Sequence, residues 1–321
     1  MPATRVLITT AAVFRCEERH LAAVREAAPG AEVRVRDRDQ VTADDIAWAE
    51  VLFGWPPREH LALVKSLRWV HLPSAGADRF ADRSLFPHPA FVLTNSRGVF
   101  GQPIAEHVVA LMLAWSRNLH VYGRQQERAE WKRIHNARDF AGSTVGVIGL
   151  GSIGTEVARR SAALGATVLA VRRRPAAPPP FVSELAGEEG VDRLLPRCDY
   201  VVLALPATSR TRQVLSAARI ALMKPGAFLV NIGRGALVDQ NALIAALADG
   251  RRGGAGQDVA TPEPLPPESP LWRMPGVIIT PHASGSSPTN DDRRFAIFAA
   301  NLRRFAAGQT LENIVDFDEG Y

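Results

Sequence analysis

The chain has little cysteine, no long apolar run and, outside Arg172 to Arg174, no clustered block of charge, and each shortage removes a class of protein. Cys16 and Cys198 are its two cysteines, far apart and in no CxxC or Cys/His spacing. Neither a disulfide framework nor a zinc site is expected, no metal ligand set is assigned, and both thiols read as inert structural residues. No window reaches the roughly 18 uninterrupted apolar residues of a spanning helix. The start, Met1-Pro2-Ala3-Thr4-Arg5-Val6-Leu7-Ile8, lacks the basic and apolar regions of a secretory leader. The expectation is a cytoplasmic protein with no membrane partner. The net charge of +5 comes from arginines scattered through the chain, with no basic run interleaved with aromatics, so nucleic acid is not expected as a partner. Internal repeats are absent, and the proline-rich pieces at 175–180 and 262–270 are short enough to be loops.

What is present suits a folded protein with a large core. Of 321 residues, 46% are apolar and 22% charged, and the length exceeds what one core usually organises, so two domains are expected. Short apolar runs at Arg5–Ile8, Glu32–Val35, Val51–Phe53, Trp69–Leu72 and Phe91–Thr94 are separated by helix-like or turn-rich stretches. Such alternation predicts a mainly parallel sheet, because parallel strands need crossover connections. The spacing of Ile104, Val108, Leu111, Met112, Trp115 and Leu119 predicts one long helix from Ile104 to Val121, opened by Pro103. A second series follows, with six strands at Thr144–Ile148, Thr167–Val171, Tyr200–Leu203, Phe228–Ile232, Ala255–Val259 and Val277–Thr280, as a dinucleotide-binding domain requires. A last helix, Asp291–Ala307, carries Phe295, Phe298, Ala299, Leu302 and Phe305 on one face, and its partner is not visible in the sequence. The fold class is α/β, with residues 1–97 plus 286–321 as one domain and 98–285 as the other.

Gly149-Leu150-Gly151-Ser152-Ile153-Gly154 matches GxGxxG, a weak signal by itself. Its place between the strand Val145–Ile148 and the helix-like Thr155–Leu164 strengthens it, since a strand-to-helix turn lets backbone approach a pyrophosphate. An acidic residue is expected about 20 positions later to accept from the adenosine ribose, but Arg172 stands there, followed by Arg173 and Arg174. Guanidinium forks grip a 2′-phosphate that a carboxylate would repel, so NADP(H) is favoured, with NAD(H) possible.

Three later segments end predicted strands: Val230-Asn231-Ile232-Gly233-Arg234-Gly235, Gln257-Asp258-Val259 through Pro262-Glu263-Pro264, and Thr280-Pro281-His282-Ala283-Ser284-Gly285. In a doubly wound sheet the ligand crevice lies at those ends, so Arg234, Glu263 and His282 converge although dispersed in sequence. With Ser74-Ala75-Gly76-Ala77-Asp78, Ala105-Glu106-His107 and Glu263-Pro264-Leu265-Pro266, these motifs make the chain resemble the D-isomer-specific 2-hydroxyacid dehydrogenase family over nearly its whole length. Gln257 and Ala260 depart from the larger apolar residues the family often has beside Asp258-Val259, and the ribose-binding acid is replaced.

The resemblance implies two Rossmann-like or flavodoxin-like parallel-sheet domains with the active-site cleft between them, the first binding substrate and the second the dinucleotide. It implies hydride transfer between a nicotinamide and C2 of a small 2-oxo or 2-hydroxy acid, most like the glyoxylate and hydroxypyruvate reductases. Arg234 would bind the substrate carboxylate and polarise the C2 carbonyl, and His282 would act as acid and base. Glu263 would hydrogen-bond the imidazole and favour its charged form. The cofactor would touch Gly149, Gly151, Ser152, Ile153, Gly154, Leu205, Pro206, Ile232 and Gly233, and Asp258 would face the nicotinamide carboxamide. Ala75 and Gly76 would offer backbone amides to the substrate carboxylate, and Trp55 either walls the pocket or only packs. Glu106 and His107 read as a helix start and its packing, and His71, His88 and His135 receive no role. A homodimer through the dinucleotide-binding domain is implied. Two other readings stand beside this one: a phosphoglycerate- or phosphite-oxidising relative, and a cofactor-sensing, corepressor-like binding protein. The want of a domain after Tyr321 speaks against the longer phosphoglycerate enzymes. Retention of Arg234, Glu263 and His282 favours catalysis.

Overall fold

The computed structural model describes residues 3–61, 66–86, 90–174, 176–250 and 253–321; His88 and Pro175 lie outside them. The chain divides into one unit of Met1–Val99 with Ser287–Tyr321 and a second of Phe100–Ser286.

In the first unit the described strands β1 (Arg5–Thr10), β2 (Glu32–Asp37), β3 (Val51–Phe53), β4 (Trp69–Leu72) and β5 (Val92–Asn95) form a parallel sheet in the order β2-β1-β3-β4-β5. This is a flavodoxin-like order. Residues of β3 and β4 are buried without exception, as strands covered on both faces must be, whereas β2 at the edge alternates apolar and charged residues. Strand alternation sends Leu7, Leu52, Val70 and Leu93 to one face and Val6, Ile8, Val51, Phe53 and Trp69 to the other. The first face packs on α2 (Ala43–Trp48) and α3 (Arg58–Leu61) through Ile46 and Leu61. A capping box starts α2: Thr42 accepts from the Asp45 amide, and the Asp45 carboxylate accepts from Thr42. The second face packs on α1 (Glu18–Ala27) and on α10 (Asn290–Ala306), the terminal helix, through Val24, Phe295, Phe298 and Leu302. Phe298 is fully buried and stacks on Phe53 at 4.3 Å and Trp69 at 5.1 Å, a site where truncation to alanine costs about 3 to 5 kcal/mol. The partner of the last helix is therefore the sheet of the first unit, to which the chain returns.

The second unit opens with α4 (Gly101–Ser116) and α5 (Leu119–Glu127). The expected single helix is two. The break is at Asn118, which sits in the left-handed region at φ 59°, a conformation asparagine tolerates, and its Nδ2 donates to Asn136 Oδ1. The described strands are β6 (Thr144–Ile148), β7 (Thr167–Val171), β8 (Glu184–Ala186), β9 (Tyr200–Leu203), β10 (Phe228–Asn231), β11 (Gly254–Gln257) and β12 (Val277–Ile279). They form a parallel sheet in the order β12-β11-β10-β9-β6-β7-β8, a Rossmann-like arrangement with one strand added beyond β11. The edge strand β8 was not among the six expected. Its three residues, Glu-Leu-Ala, are half-buried and show no apolar run. Helices α6 (Ser152–Ala163), α7 (Val191–Leu194), α8 (Ala217–Leu222) and α9 (Gln240–Ala248) complete the unit. Because β7 and β9 flank β6 on opposite sides, the strand order reverses there, and the crevice at the carboxyl ends of these strands is where such sheets bind ligands.

Both thiols are held protonated. Burial, helped by neighbouring carboxylates, pushes Cys16 up to about 11, and burial pushes Cys198 up to about 12. No helix among the described residues is long and apolar enough to cross a membrane.

Candidate active site

The turn after β6 is shaped by what each glycine allows. Gly149 has φ +105°, and a Cβ there would lie 2.6 Å from the Ala204 carbonyl oxygen that follows β9. A Cβ on Gly154 would lie 2.0 Å from the Gly149 carbonyl oxygen, so this glycine lets the first turn of α6 close on the strand. Above Gly151 there is open space. No side chain caps α6, and Thr155 to Gly151 is its first internal bond, at 2.9 Å. The amides of Ser152, Ile153 and Gly154 thus lie at the positive end of a twelve-residue helix beneath an unobstructed glycine, a cradle that fits a dinucleotide pyrophosphate. Leu205 and Pro206 follow the neighbouring strand β9, and Leu205 O would lie 2.6 Å from a Cβ on Gly233, which with Ile232 leaves β10. The two glycine turns therefore flank the segment after β9.

Arg172 is the first residue after β7, its amide donating to Ala186 O on β8 at 2.9 Å. The Arg172 and Arg174 side chains are exposed and Arg173 is half-buried. Two exposed guanidinium groups thus sit at the strand end where the ribose of a dinucleotide is read.

Arg234 is carried on a turn built by Asn231, the buried last residue of β10. Asn231 Nδ2 donates to Arg234 O at 3.0 Å, and Asn231 Oδ1 accepts from the Gly233 amide at 3.2 Å. Half-buried Arg234 donates through Nη1 to Gly233 O at 2.8 Å. A Cβ on Gly235 would lie 2.0 Å from Ala260 O, so the Arg234 turn abuts the loop that leads to Glu263. Asn231 was absent from the expected site; an Asx residue two positions before a glycine was its signal.

His282 and Glu263 meet on the side of β11 and β12. His282 Nδ1 lies 2.9 Å from Glu263 Oε2, and Glu263 Oε1 accepts from the Ala260 amide at 3.1 Å. With Nδ1 engaged by a carboxylate, Nε2 is the nitrogen left to exchange a proton with a reacting group. The two side chains are 52% and 39% exposed, so solvent screens their attraction, and the value of the contact is orientation. His282 itself stands at φ 52°, its amide donating to Asp258 O at 2.8 Å and Thr280 O at 3.0 Å.

Asp258 holds that backbone in place. Its Oδ1 accepts from Thr280 Oγ1 at 2.6 Å, the Ala283 amide at 2.9 Å and the Ser284 amide at 3.2 Å, and its Oδ2 accepts from the Ser284 amide at 3.1 Å. Burial would raise its pKa, but the bonds from Ser284, Thr280 and the amides of Ala283 and Ser284 outweigh it and hold the carboxyl below the usual carboxylate range. The carboxylate has no exposed surface, so in this conformation it faces the His282 loop, where the sequence reading has it face a nicotinamide. His107 Nε2 lies 3.0 Å from Thr280 Oγ1 and 3.9 Å from Asp258 Oδ1, which ties α4 to the same loop. Thr280, Ser284 and His107 thus support the site; in the sequence His107 reads only as packing at a helix start, and Thr280 and Ser284 have no role of their own. Exposed Glu106 points elsewhere, with its Oε1 accepting from Gln102 Nε2 at 3.0 Å.

In the first unit, Ala75 and Gly76 form a half-exposed turn beyond β4, and Trp55 follows β3. Trp55 Nε1 donates to Ser74 Oγ at 3.3 Å, so Trp55 supports the turn as well as packing on the core. His71 is buried beneath, between Thr94 Oγ1 at 2.7 Å and Ser96 Oγ at 3.2 Å, and burial lowers its pKa to about 3. His135 is exposed.

The profile described as "D-isomer specific 2-hydroxyacid dehydrogenase, NAD binding domain" matches residues 109–284. The chain belongs to this family. The match to the dehydrogenase profile takes in the glycine turn, the arginines after β7, Arg234, Glu263 and His282. A glyoxylate reductase of Korarchaeum cryptofilum is 32% identical over 305 residues, 91% of this chain and 87% of that protein. A D-isomer specific 2-hydroxyacid dehydrogenase from Xanthobacter autotrophicus, solved with NADPH and MES, is 33% identical with a TM-score of 0.86, covering 99% of this chain and all of that one. An NADPH-dependent glyoxylate/hydroxypyruvate reductase from Sinorhizobium meliloti, solved with NADP and sulfate, is 28% identical with a TM-score of 0.83 over 99% of this chain and all of that one. The dehydrogenase is thus an oxidoreductase of a nicotinamide-dependent family with two parallel-sheet Rossmann-like domains.

Proposed function

We propose that this dehydrogenase reduces a small 2-oxo acid of the glyoxylate or hydroxypyruvate kind to the D-2-hydroxy acid, with NADPH as the preferred cofactor and NADH as a weaker one. The observation that carries the reading is the His282–Glu263 pair at 2.9 Å, whose free Nε2 is available as a proton donor on the loop after β12. The bound cofactor supplies the hydride to C2. Arg234 binds the carboxylate and polarises the C2 carbonyl, stabilising the negative charge that gathers on oxygen. His282 donates the proton to that oxygen, and in the oxidative direction takes it back. Glu263 orients the ring, and Asp258 fixes the backbone on which the ring is carried. In the first unit, the amides of Ala75 and Gly76 take the substrate carboxylate, and Trp55 limits its size.

The cofactor preference rests on Arg172, Arg173 and Arg174 in place of a ribose-binding acid, and the relatives solved with NADPH and NADP support it. On this reading residues 98–285 form the dinucleotide-binding domain and 1–97 with 286–321 the substrate domain. The protein works as a cytoplasmic homodimer joined through the former. The test is loss of NADPH absorbance on adding glyoxylate, hydroxypyruvate or pyruvate, repeated with NADH. Turnover of a 2-oxo acid is expected; no turnover with any of them would favour a cofactor-sensing binder instead.

A further inference from the structure

Four successive carbonyls leaving β4 are each held by a separate donor. Pro73 O accepts from Arg294 Nε at 2.9 Å, Ser74 O from the Ser96 amide at 3.0 Å, Ala75 O from Asn95 Nδ2 at 2.9 Å and Gly76 O from Ser74 Oγ at 2.7 Å. A planar trans peptide directs each N–H opposite to the carbonyl before it. Fixing the Ser74 and Ala75 carbonyls on one side therefore sends the amides of Ala75 and Gly76 to the other. Among the described residues neither amide donates to a protein acceptor, and both residues are half-exposed. Neighbouring amides aimed together in this way bind anions.

Of these donors, Asn95 sets the direction of the middle peptide through its side chain alone. It is the last residue of β5 and is 3% exposed. Its Oδ1 accepts from the Arg97 amide at 3.1 Å, which settles the amide orientation and leaves Nδ2 for Ala75 O. Its backbone is pinned from the chain terminus, its own amide donating to Asn313 O at 3.1 Å. We propose that Asn95 is a positioning residue for the substrate: by holding the Ala75 carbonyl it turns the Gly76 N–H towards the substrate carboxylate. This rests on the 2-oxo acid reductase reading above.

The test compares Asn95→Asp, equal in size but unable to donate when ionised, with Asn95→Ala, which adds no charge. Both variants should raise KM for glyoxylate, and the inhibition constant of oxalate, by about five- to thirtyfold. The value of kcat should change far less, and NADPH affinity and the thermal midpoint should stay near wild type; a merely structural role would move these together. Should Asn95→Ala fail to fold, Asn95→Asp carries the test, and its effect must persist at raised salt, since charge repulsion would be screened. Unchanged KM and oxalate inhibition in an enzyme that reduces 2-oxo acids would overturn the role of Asn95 and leave the function standing. If the wild type reduces none, the function fails, and calorimetry of oxalate on the NADP complex decides Asn95. Weaker binding by the variants then supports the role, and equal or absent binding in the wild type overturns it.

Discussion

Asp258→Asn separates two roles that one carboxylate could play. If Asp258 holds the His282 loop, the substitution should act on kcat; if it binds the nicotinamide, it should act on cofactor affinity. An asparagine in the same pose can keep its oxygen where Oδ1 accepts from Thr280, Ala283 and Ser284. It then presents an amide nitrogen where Oδ2 accepts from the Ser284 amide, so two donors face each other. Bonds to a charged acceptor contribute about 1.5 to 3 kcal/mol and neutral ones about 0.5 to 1.5, so three weakened bonds cost about 3 to 4.5 kcal/mol. Borne by the placement of His282, that is about a 10²- to 10³-fold loss of kcat. Because the hydrogen bonds outweigh burial and keep Asp258 ionised, its contribution is present above the ordinary carboxylate range and is lost only as pH falls through its lowered pKa. Steady-state kinetics with NADPH binding followed by fluorescence reads both quantities. A variant with wild-type kcat and weakened NADPH binding would refute the loop-holding role.

Three further outcomes are expected. His282→Ala should lower kcat by about 10²- to 10⁴-fold with cofactor affinity unchanged, and a loss below about tenfold would contradict its role as proton donor. Arg172→Asp should reverse the expected NADPH preference, about ten- to a hundredfold in the wild type, by removing a donor and repelling the 2′-phosphate; equal use of both cofactors by the wild type refutes this reading of the arginines. His71, buried and lowered to about 3 from an ordinary 6.5, stabilises the fold fully above the unfolded value and progressively less as pH falls towards 3, because only the unfolded chain takes up the proton. The slope is about 1.4 kcal/mol per pH unit, so urea denaturation should show about 2 kcal/mol lost at this site between pH 6.5 and 5, and His71→Gln should flatten that slope; equal slopes would refute it.

Strands were legible where burial on both faces demands mostly apolar residues. Val51–Phe53, Trp69–Leu72, Thr144–Ile148, Thr167–Val171 and Tyr200–Leu203 have the same bounds in sequence and structure. Strand β8 pairs with β7 alone, so it escapes that demand and leaves no periodic trace. The division of α4 from α5 was hidden because apolar spacing runs on through Leu119, and the signal that mattered was one residue, Asn118, able to adopt the left-handed conformation.

The site divides along a different line. Residues whose chemistry is their role announce themselves: a proton donor must be something like His282, and a planar cation for a carboxylate something like Arg234. Residues that act by direction do not. Asp258, Asn231 and Asn95 are all short polar side chains at or just after the end of a strand; in sequence Asn231 and Asn95 look like turn formers, and Asp258 reads as a residue facing the nicotinamide, not as a support of the His282 loop. In the structure Asp258 gathers the amides of the His282 loop, and Asn231 clamps the Arg234 turn across its own peptide. Asn95 reaches twenty residues back to a carbonyl on the next strand's turn. Their difference lies in which backbone group comes within 3 Å, and that is set by strand order. The order β2-β1-β3-β4-β5 puts the end of β5 beside the end of β4, while β10, β11 and β12 are consecutive neighbours. Supporting residues of this kind become readable only once the sheet is assembled, because each takes its function from the neighbour the topology assigns to it.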